Sequence, residues 1–165
     1  MIFLTLGTQL PFDRLVRALD DWCAATGQGG EVTAQIPDPG ARGYRPRSFA
    51  WTGWMAPEAY EATAREAAAI VSHAGMGTII TALTLGTPLL IMPRRAALGE
   101  HRNDHQLATA WRFADRPGLA VAWDEAELAG TLERLLAGKG EAGERLGPHA
   151  EESLVAAVRA EILRD

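Results

Sequence analysis

The sequence is poor in several things at once. It has a single cysteine, Cys23, among 165 residues. One thiol closes no internal disulfide and finds no second thiol for a zinc site, which excludes the small disulfide-scaffold and zinc-finger classes. A reducing cytoplasm is the compartment this usage fits. Lysine is almost missing: of 16 basic residues only Lys139 is lysine, and the rest are arginine. That bias, with abundant alanine, points to a GC-rich bacterial genome. The net charge is −5 at pH 7. A broad cationic field is therefore absent, and no nucleic-acid partner is expected. The amino terminus lacks a basic n-region, and Asp13 and Arg14 follow the first apolar run closely, so no secretion signal is expected.

Charge itself is missing from one stretch. Residues 67–93 contain no Asp, Glu, Lys or Arg. Such a run is long enough for a membrane helix. It also contains His73, Gly75, Gly77, Gly86 and Pro88, which break it into buried strand, loop, helix, turn and strand. The length matches one domain at about 100–200 residues per domain, too short for a two-domain enzyme.

What is present is a regular alternation. Ile2–Leu6 is apolar without strict alternation, as in a strand buried on both faces. Gly7-Thr8-Gln9 breaks it. Pro11 then opens a helix carrying Phe12, Leu15, Val16, Leu19 and Trp22/Cys23 inside, with Asp13, Arg17, Asp20 and Asp21 on the wet side. Further strands are predicted at 32–36, 48–51, 69–72, 89–92 and 119–122. Helices are predicted at 57–67, 78–85, from Asn103 or Asp104 through Leu107, Ala108 and Trp111, and from Asp124 with its capping partner Glu127. Trp51 and Trp54 are expected to pack in the core. The pattern predicts an α/β fold, a doubly wound Rossmann-like parallel sheet with helices on both faces. It fills residues 1–137. A glycine-rich linker, 138–147, and an amphipathic helix, 148–165, suited to docking a partner, complete the chain.

Ligands of such sheets bind beyond the carboxyl ends of the strands. Three polar loops fall there: Gly7-Thr8-Gln9; His73-Ala74-Gly75-Met76-Gly77-Thr78; and Pro93 to Gln106, with Arg94, Glu100, His101, Asp104, His105 and Gln106. In the second, two glycines precede a helix whose free N–H groups favour a phosphate. The competing reading is a plain tight turn. Neither the dinucleotide fingerprint nor a P-loop is present, since position 80 is Ile. In the third, Asp104 and Gln106 offer an acceptor and a donor to sugar hydroxyls, against capping and surface exposure. His101 and His105 are spaced for a metal only if both lie on one helix, and no metal site is assigned. Arg94 can pair a phosphate or a carboxylate.

In order, Leu6-Gly7-Thr8 with Pro11-Phe12-Asp13-Arg14-Leu15, Ser72-His73-Ala74-Gly75-Met76-Gly77-Thr78, Gly86-Thr87-Pro88-Leu89, and Pro93-Arg94 with Asp104-His105-Gln106-Leu107-Ala108 resemble the glycosyltransferase family 28 C-terminal domain, the donor-binding half of a GT-B fold. The resemblance spans about residues 2–136. It is greatest to short stand-alone members: the small subunits of two-component UDP-sugar transferases of bacterial exopolysaccharide and lipid-linked oligosaccharide synthesis. It implies a UDP-sugar donor and a polyprenyl-diphosphate-linked saccharide acceptor. It also implies a membrane-anchored acceptor-binding subunit as partner, inverting hexosyl transfer and no metal cofactor. The chain would then be cytoplasmic, peripheral at the inner face of the membrane through that partner. Gly7 and Thr8 would face the donor diphosphate or the interdomain cleft, Gly75, Gly77 and Thr78 would cradle the diphosphate, Asp104, His105 and Gln106 would read the donor sugar, and Met76, Thr81 and Arg94 complete the donor-binding set. Larger relatives hold the ribose with a glutamate where this chain has Thr81. The general base is implied on the acceptor side, with His73 and Glu100 as local candidates. The alternative is a non-catalytic nucleotide-sugar-binding regulatory or scaffold subunit.

Overall fold

The computed structural model describes residues 1–7, 10–41 and 43–138. Six parallel strands form one sheet: β1 (Ile2–Thr5), β2 (Val32–Gln35), β3 (Ala50–Thr52), β4 (Ala69–His73), β5 (Leu89–Met92) and β6 (Leu119–Val121). Their order is β3-β2-β1-β4-β5-β6. The chain winds outward from β1 to β3, then returns to place β4 on the other side of β1. This reversal opens a crevice at the carboxyl ends of β1 and β4. The doubly wound fold read from the alternation is the fold observed.

Five α-helices cover the sheet: α1 (Asp13–Thr26), α2 (Pro57–Glu66), α3 (Met76–Leu85), α4 (His105–Phe113) and α5 (Glu125–Ala137). Successive side chains of a strand leave on opposite faces, so each central strand feeds two cores. Ile2 and Leu4 pack with Leu15, Leu19, Leu128 and Leu132 beneath α1 and α5. Phe3 packs with Ile70, Ile79, Ala82 and Ala110 beneath α2, α3 and α4. Burial on both faces explains why β1 lacks alternation. Each fully buried Leu or Ile adds about 1.5–3 kcal/mol.

Local signals set several boundaries. Pro57 occupies the first turn of α2. Asp124 caps α5 by accepting from the Ala126 and Glu127 N–H groups, while Glu127 Oε2 accepts from the Trp123 N–H at 2.9 Å. α3 starts two residues earlier than its apolar periodicity predicts, because Gly75 already lies in extended backbone at its N-cap. The uncharged run is β4, α3 and β5, and no helix among the described residues is long and apolar enough to cross a membrane. The linker and amphipathic helix read after residue 138 lie outside the described residues.

Three expectations change. Asp20 is buried, not wet: it accepts from the Tyr44 hydroxyl at 2.6 Å and from the Arg47 and Ser48 N–H groups, pinning the loop before β3. Burial pushes its carboxyl pKa up, but those donors outweigh burial, and the net shift is downward. Trp54 is 66% exposed, while Trp51 packs on the core as expected. α4 is rotated from its predicted face. Gln106 and Ala110 point inward, whereas Trp111 is exposed and lies 4.3 Å from Trp123, ring centre to ring centre.

Candidate functional site

His73, the last residue of β4, lies at the crevice between the loops after β1 and β5. Its tautomer follows from its neighbours. Ser72 Oγ donates its only proton to the Thr5 carbonyl at 2.7 Å. At 3.2 Å from His73 Nδ1 it can therefore only accept. The ring carries its proton on Nδ1 and a lone pair on Nε2. Burial lowers the His73 pKa to about 4, helped by Arg94, His101 and His105. The imidazole is neutral at pH 7.

Two glycines close around that ring. Gly7 has φ +71°, and a Cβ there would come within 3.2 Å of His73 Cε1. A Cβ on Gly75 would lie 2.2 Å from His73 Nε2. Gly75 therefore has a packing reason, and substitution there perturbs folding as well as any ligand. Gly77 differs. It sits at the second position of α3, its φ is not left-handed, and a Cβ would meet nothing within 4 Å. Inside the protein, nothing requires glycine at that position. No side chain caps α3, and the first ladder bond runs from the Ile79 N–H to the Gly75 carbonyl. The N–H groups of Met76, Gly77 and Thr78 thus remain without helical partners at the positive end of the helix dipole. Met76 and Gly77 are exposed and Thr78 is buried.

The third loop is built on three consecutive backbone amides. The Arg94 N–H donates to Gln106 Oε1 at 3.1 Å, the Arg95 N–H to Glu100 Oε2 at 2.9 Å, and the Ala96 N–H to Asp104 Oδ1 at 2.8 Å. One end of the Gln106 and Asp104 side chains is thereby fixed. Asp104 Oδ2 and the Gln106 NH₂ group remain as acceptor and donor. Gln106 is buried, which removes plain surface exposure as its explanation. Asp104 does not cap α4 with its side chain. Asn103 accepts from the His105 Nδ1–H instead, and the His101 and His105 rings meet edge to face at 4.4 Å. No group of three metal-binding side chains occurs among the described residues.

Two candidates are placed differently from their predicted roles. Arg94 is 2% exposed, and its guanidinium donates to the carbonyls of Leu6, Leu10 and Pro11. It holds the first loop rather than facing the crevice. Glu100 accepts from Arg14 at both oxygens, 2.8 and 2.9 Å, and from Arg95. Its carboxylate is already engaged as an acceptor, which argues against a general-base role. Thr81 lies on α3 facing α2, its hydroxyl donating to the Gly77 carbonyl at 3.0 Å. Thr8 lies outside the described residues. The sequence reading missed Arg14 as a partner of Glu100. The signal was a conspicuous arginine in the first turn of α1, but its acceptor lies 86 positions away.

Comparison with known proteins agrees with this geometry. A family model, the glycosyltransferase family 28 C-terminal domain, matches residues 57–153. No curated protein matches the chain significantly. Among solved structures, the NMR solution structure of ALG13 is 18% identical with a TM-score of 0.58, covering 99% of this chain and 96% of that chain. MurG of Acinetobacter baumannii is 19% identical with a TM-score of 0.59, covering 83% of this chain and 41% of that chain. The glycosyltransferase VinC, solved in complex with dTDP, is 26% identical with a TM-score of 0.54, covering 83% and 33%. The chain spans 41% or less of MurG, VinC and the other larger relatives. Fold, glycine loop and polar third loop converge with the family match over more than half the chain: the protein belongs to the glycosyltransferase family 28 C-terminal domain family.

Proposed function

We propose that this chain is the donor-binding part of a glycosyltransferase and holds the diphosphate of a UDP-sugar at the amino terminus of α3. The observation that carries this reading is Gly77. It is a glycine with no internal packing reason, next to uncapped N–H groups, at the reversal point of the sheet. VinC, solved with a nucleoside diphosphate, supports the ligand class.

The chemistry follows from where charge develops. As the glycosidic bond breaks, negative charge grows on the departing diphosphate. The N–H groups of Met76, Gly77 and Thr78 and the helix dipole oppose that charge without reorganising, and no metal is needed for it. Neutral His73 forms the floor. Its Nε2 lone pair can accept from a hydroxyl of the ribose or of the donor sugar, while the absence of a charge on the ring leaves the diphosphate to the helix N–H groups. Asp104 Oδ2 and the Gln106 NH₂ group, an acceptor beside a donor, suit adjacent hydroxyls of the donor sugar. Arg94 acts behind the first loop.

We assign the general base to the acceptor side of the cleft, because Glu100 is engaged by Arg14 and burial, lowering the His73 pKa to about 4, leaves that ring a weak base. We therefore assign acceptor binding to a membrane-anchored partner subunit. The likeness to ALG13, over 99% of this chain and 96% of that one, supports this reading. The proposed reaction is inverting transfer from the UDP-sugar to a polyprenyl-diphosphate-linked saccharide. It would take place at the cytoplasmic face of a bacterial membrane, during exopolysaccharide assembly. The test is calorimetry with UDP, then transfer from a UDP-sugar to a lipid-linked acceptor. The chain alone should bind UDP and transfer little sugar. Absence of UDP binding defeats the reading, and efficient transfer without a partner defeats its two-subunit part.

A further inference from the structure

The loops after β1 and β5 come from strands that are not neighbours, since β4 lies between them. They are nevertheless tied together twice, in opposite senses. Arg94, from the β5 side, donates to three carbonyls of the β1 loop. Arg14, from the β1 side, donates to the Pro93 carbonyl at 3.0 Å and to both oxygens of Glu100. Phe12 is buried between these cations, with its ring centre 5.0 Å from the Arg94 guanidinium and 5.3 Å from that of Arg14. The Arg14–Glu100 pair is well shielded, the two side chains being 12% and 13% exposed.

The consequence lies in the row of amides at 94–96. Gln106, Glu100 and Asp104 each take one of these three N–H groups. Gln106 and Asp104 are anchored to that row alone at their fixed ends. Glu100, at the middle amide, is in addition gripped from across the sheet by a planar fork. A bidentate Arg–carboxylate contact sets orientation as well as distance, which a lysine does not. Fixing Glu100 thus fixes the row, and the row sets where Asp104 and Gln106 sit.

We propose that Arg14 and Glu100 are positioning residues for donor-sugar recognition, acting through the amides of 94–96 on Asp104 and Gln106. This rests on the donor-binding reading above. The pair touches neither sugar nor diphosphate. It keeps the sugar-reading loop in register with α3 across the width of β4.

The experiment pairs a ligand-free readout with a binding one. Arg14→Lys keeps the charge and removes the fork. Glu100→Gln keeps the shape and the acceptor for Arg95 while turning donors toward Arg14. Hydrogen exchange at the amides of Arg94, Arg95 and Ala96 should accelerate together in Arg14→Lys, by about tenfold or more, because the three open as one unit. Affinity for a UDP-sugar relative to UDP should fall by about tenfold, the size of one lost hydrogen bond of about 1.4 kcal/mol. UDP-glucose, UDP-galactose, UDP-glucuronic acid and UDP-N-acetylglucosamine serve as probes. Glu125→Ala, which removes an exposed partner of Arg14, should leave all three amides unchanged. Acceleration confined to Arg95 overturns the proposal, as does equal loss of UDP and UDP-sugar binding. If Glu100→Gln does not fold, Arg14→Lys decides alone. If the wild type binds neither UDP nor any probe, the donor-binding reading fails, while the exchange result still decides the linkage from Arg14 to the row.

Discussion

Replacing Gly77 with alanine should raise stability and lower UDP affinity at once. A Cβ at this position would meet no protein atom within 4 Å, and the backbone is not left-handed. Alanine is therefore accommodated without strain. It should stabilise the chain by about 0.4–1 kcal/mol, mainly by restricting the unfolded state. For a domain of this size that corresponds to a rise in Tm of about 1–4 °C. A bound phosphate changes the balance. Its oxygens approach the helix N–H groups to about 2.9 Å. A methyl carbon needs about 3.5 Å from its neighbours, so it collides with a phosphate seated over the second residue of α3. We expect UDP affinity to fall at least about tenfold, or about 1.4 kcal/mol. Differential scanning fluorimetry reads the first effect and isothermal titration calorimetry the second. A higher Tm with unchanged UDP affinity would refute the cradle, because the open space at Gly77 would then be empty for no functional reason. Gly75 cannot provide this separation, since its Cβ overlaps His73.

Two further predictions concern polar residues within the fold. The folded-state pKa of His73 lies near 4, below its ordinary value near 6.5. The unfolded chain therefore takes up a proton that the buried ring refuses, and stability should decline as pH falls from about 6.5 to about 4, by up to about 3 kcal/mol. His73→Asn should flatten that slope in urea unfolding series, and an unaltered slope would place the titration elsewhere. Asp20, whose pKa is lowered in the fold, loses its contribution only below this window, as pH passes under the usual carboxylate range. Asp20→Asn weakens the contacts to the Tyr44 hydroxyl and the two backbone amides, and should cost about 1–3 kcal/mol in urea unfolding. Tyr44, held up at about 12 by its bond to Asp20, should then titrate closer to its ordinary value of about 10, as ultraviolet absorbance would show. A Tyr44 titration left near 12 in that variant would show that Asp20 is not the cause.

Parts of the site were legible in the linear chain because their physics is local. β1 reads as doubly buried from five residues, and the Asp124/Glu127 cap from four. The glycine loop before α3 and the polar residues at 104–106, where α4 begins, follow strands whose carboxyl ends a parallel sheet must put at one edge. Other parts were illegible because they depend on a distant partner. Asp20 has the spacing of a solvated helix residue, and only the loop at 44–48 makes it buried. Trp54 has the composition of a core residue, yet the strand before it ends at Thr52 and leaves it outside. Arg94 and Glu100 carry the charges that suggest ligand and base, but charge alone does not tell which way a long side chain turns.

The sequence by itself determined the elements, their order, and hence the edge at which a ligand of such a sheet is expected. Propensity, capping and hydrophobic period act over a few residues and need no partner from elsewhere. Only the tertiary structure decided which polar groups at that edge remain free. Arg14 reaches Glu100 across 86 positions and Arg94 reaches Leu6 across 88. A buried guanidinium must find acceptors wherever the fold supplies them. Among the described residues the α3 amides, Asp104 Oδ2 and the Gln106 NH₂ group are left without such partners, and it is there that we propose a ligand binds.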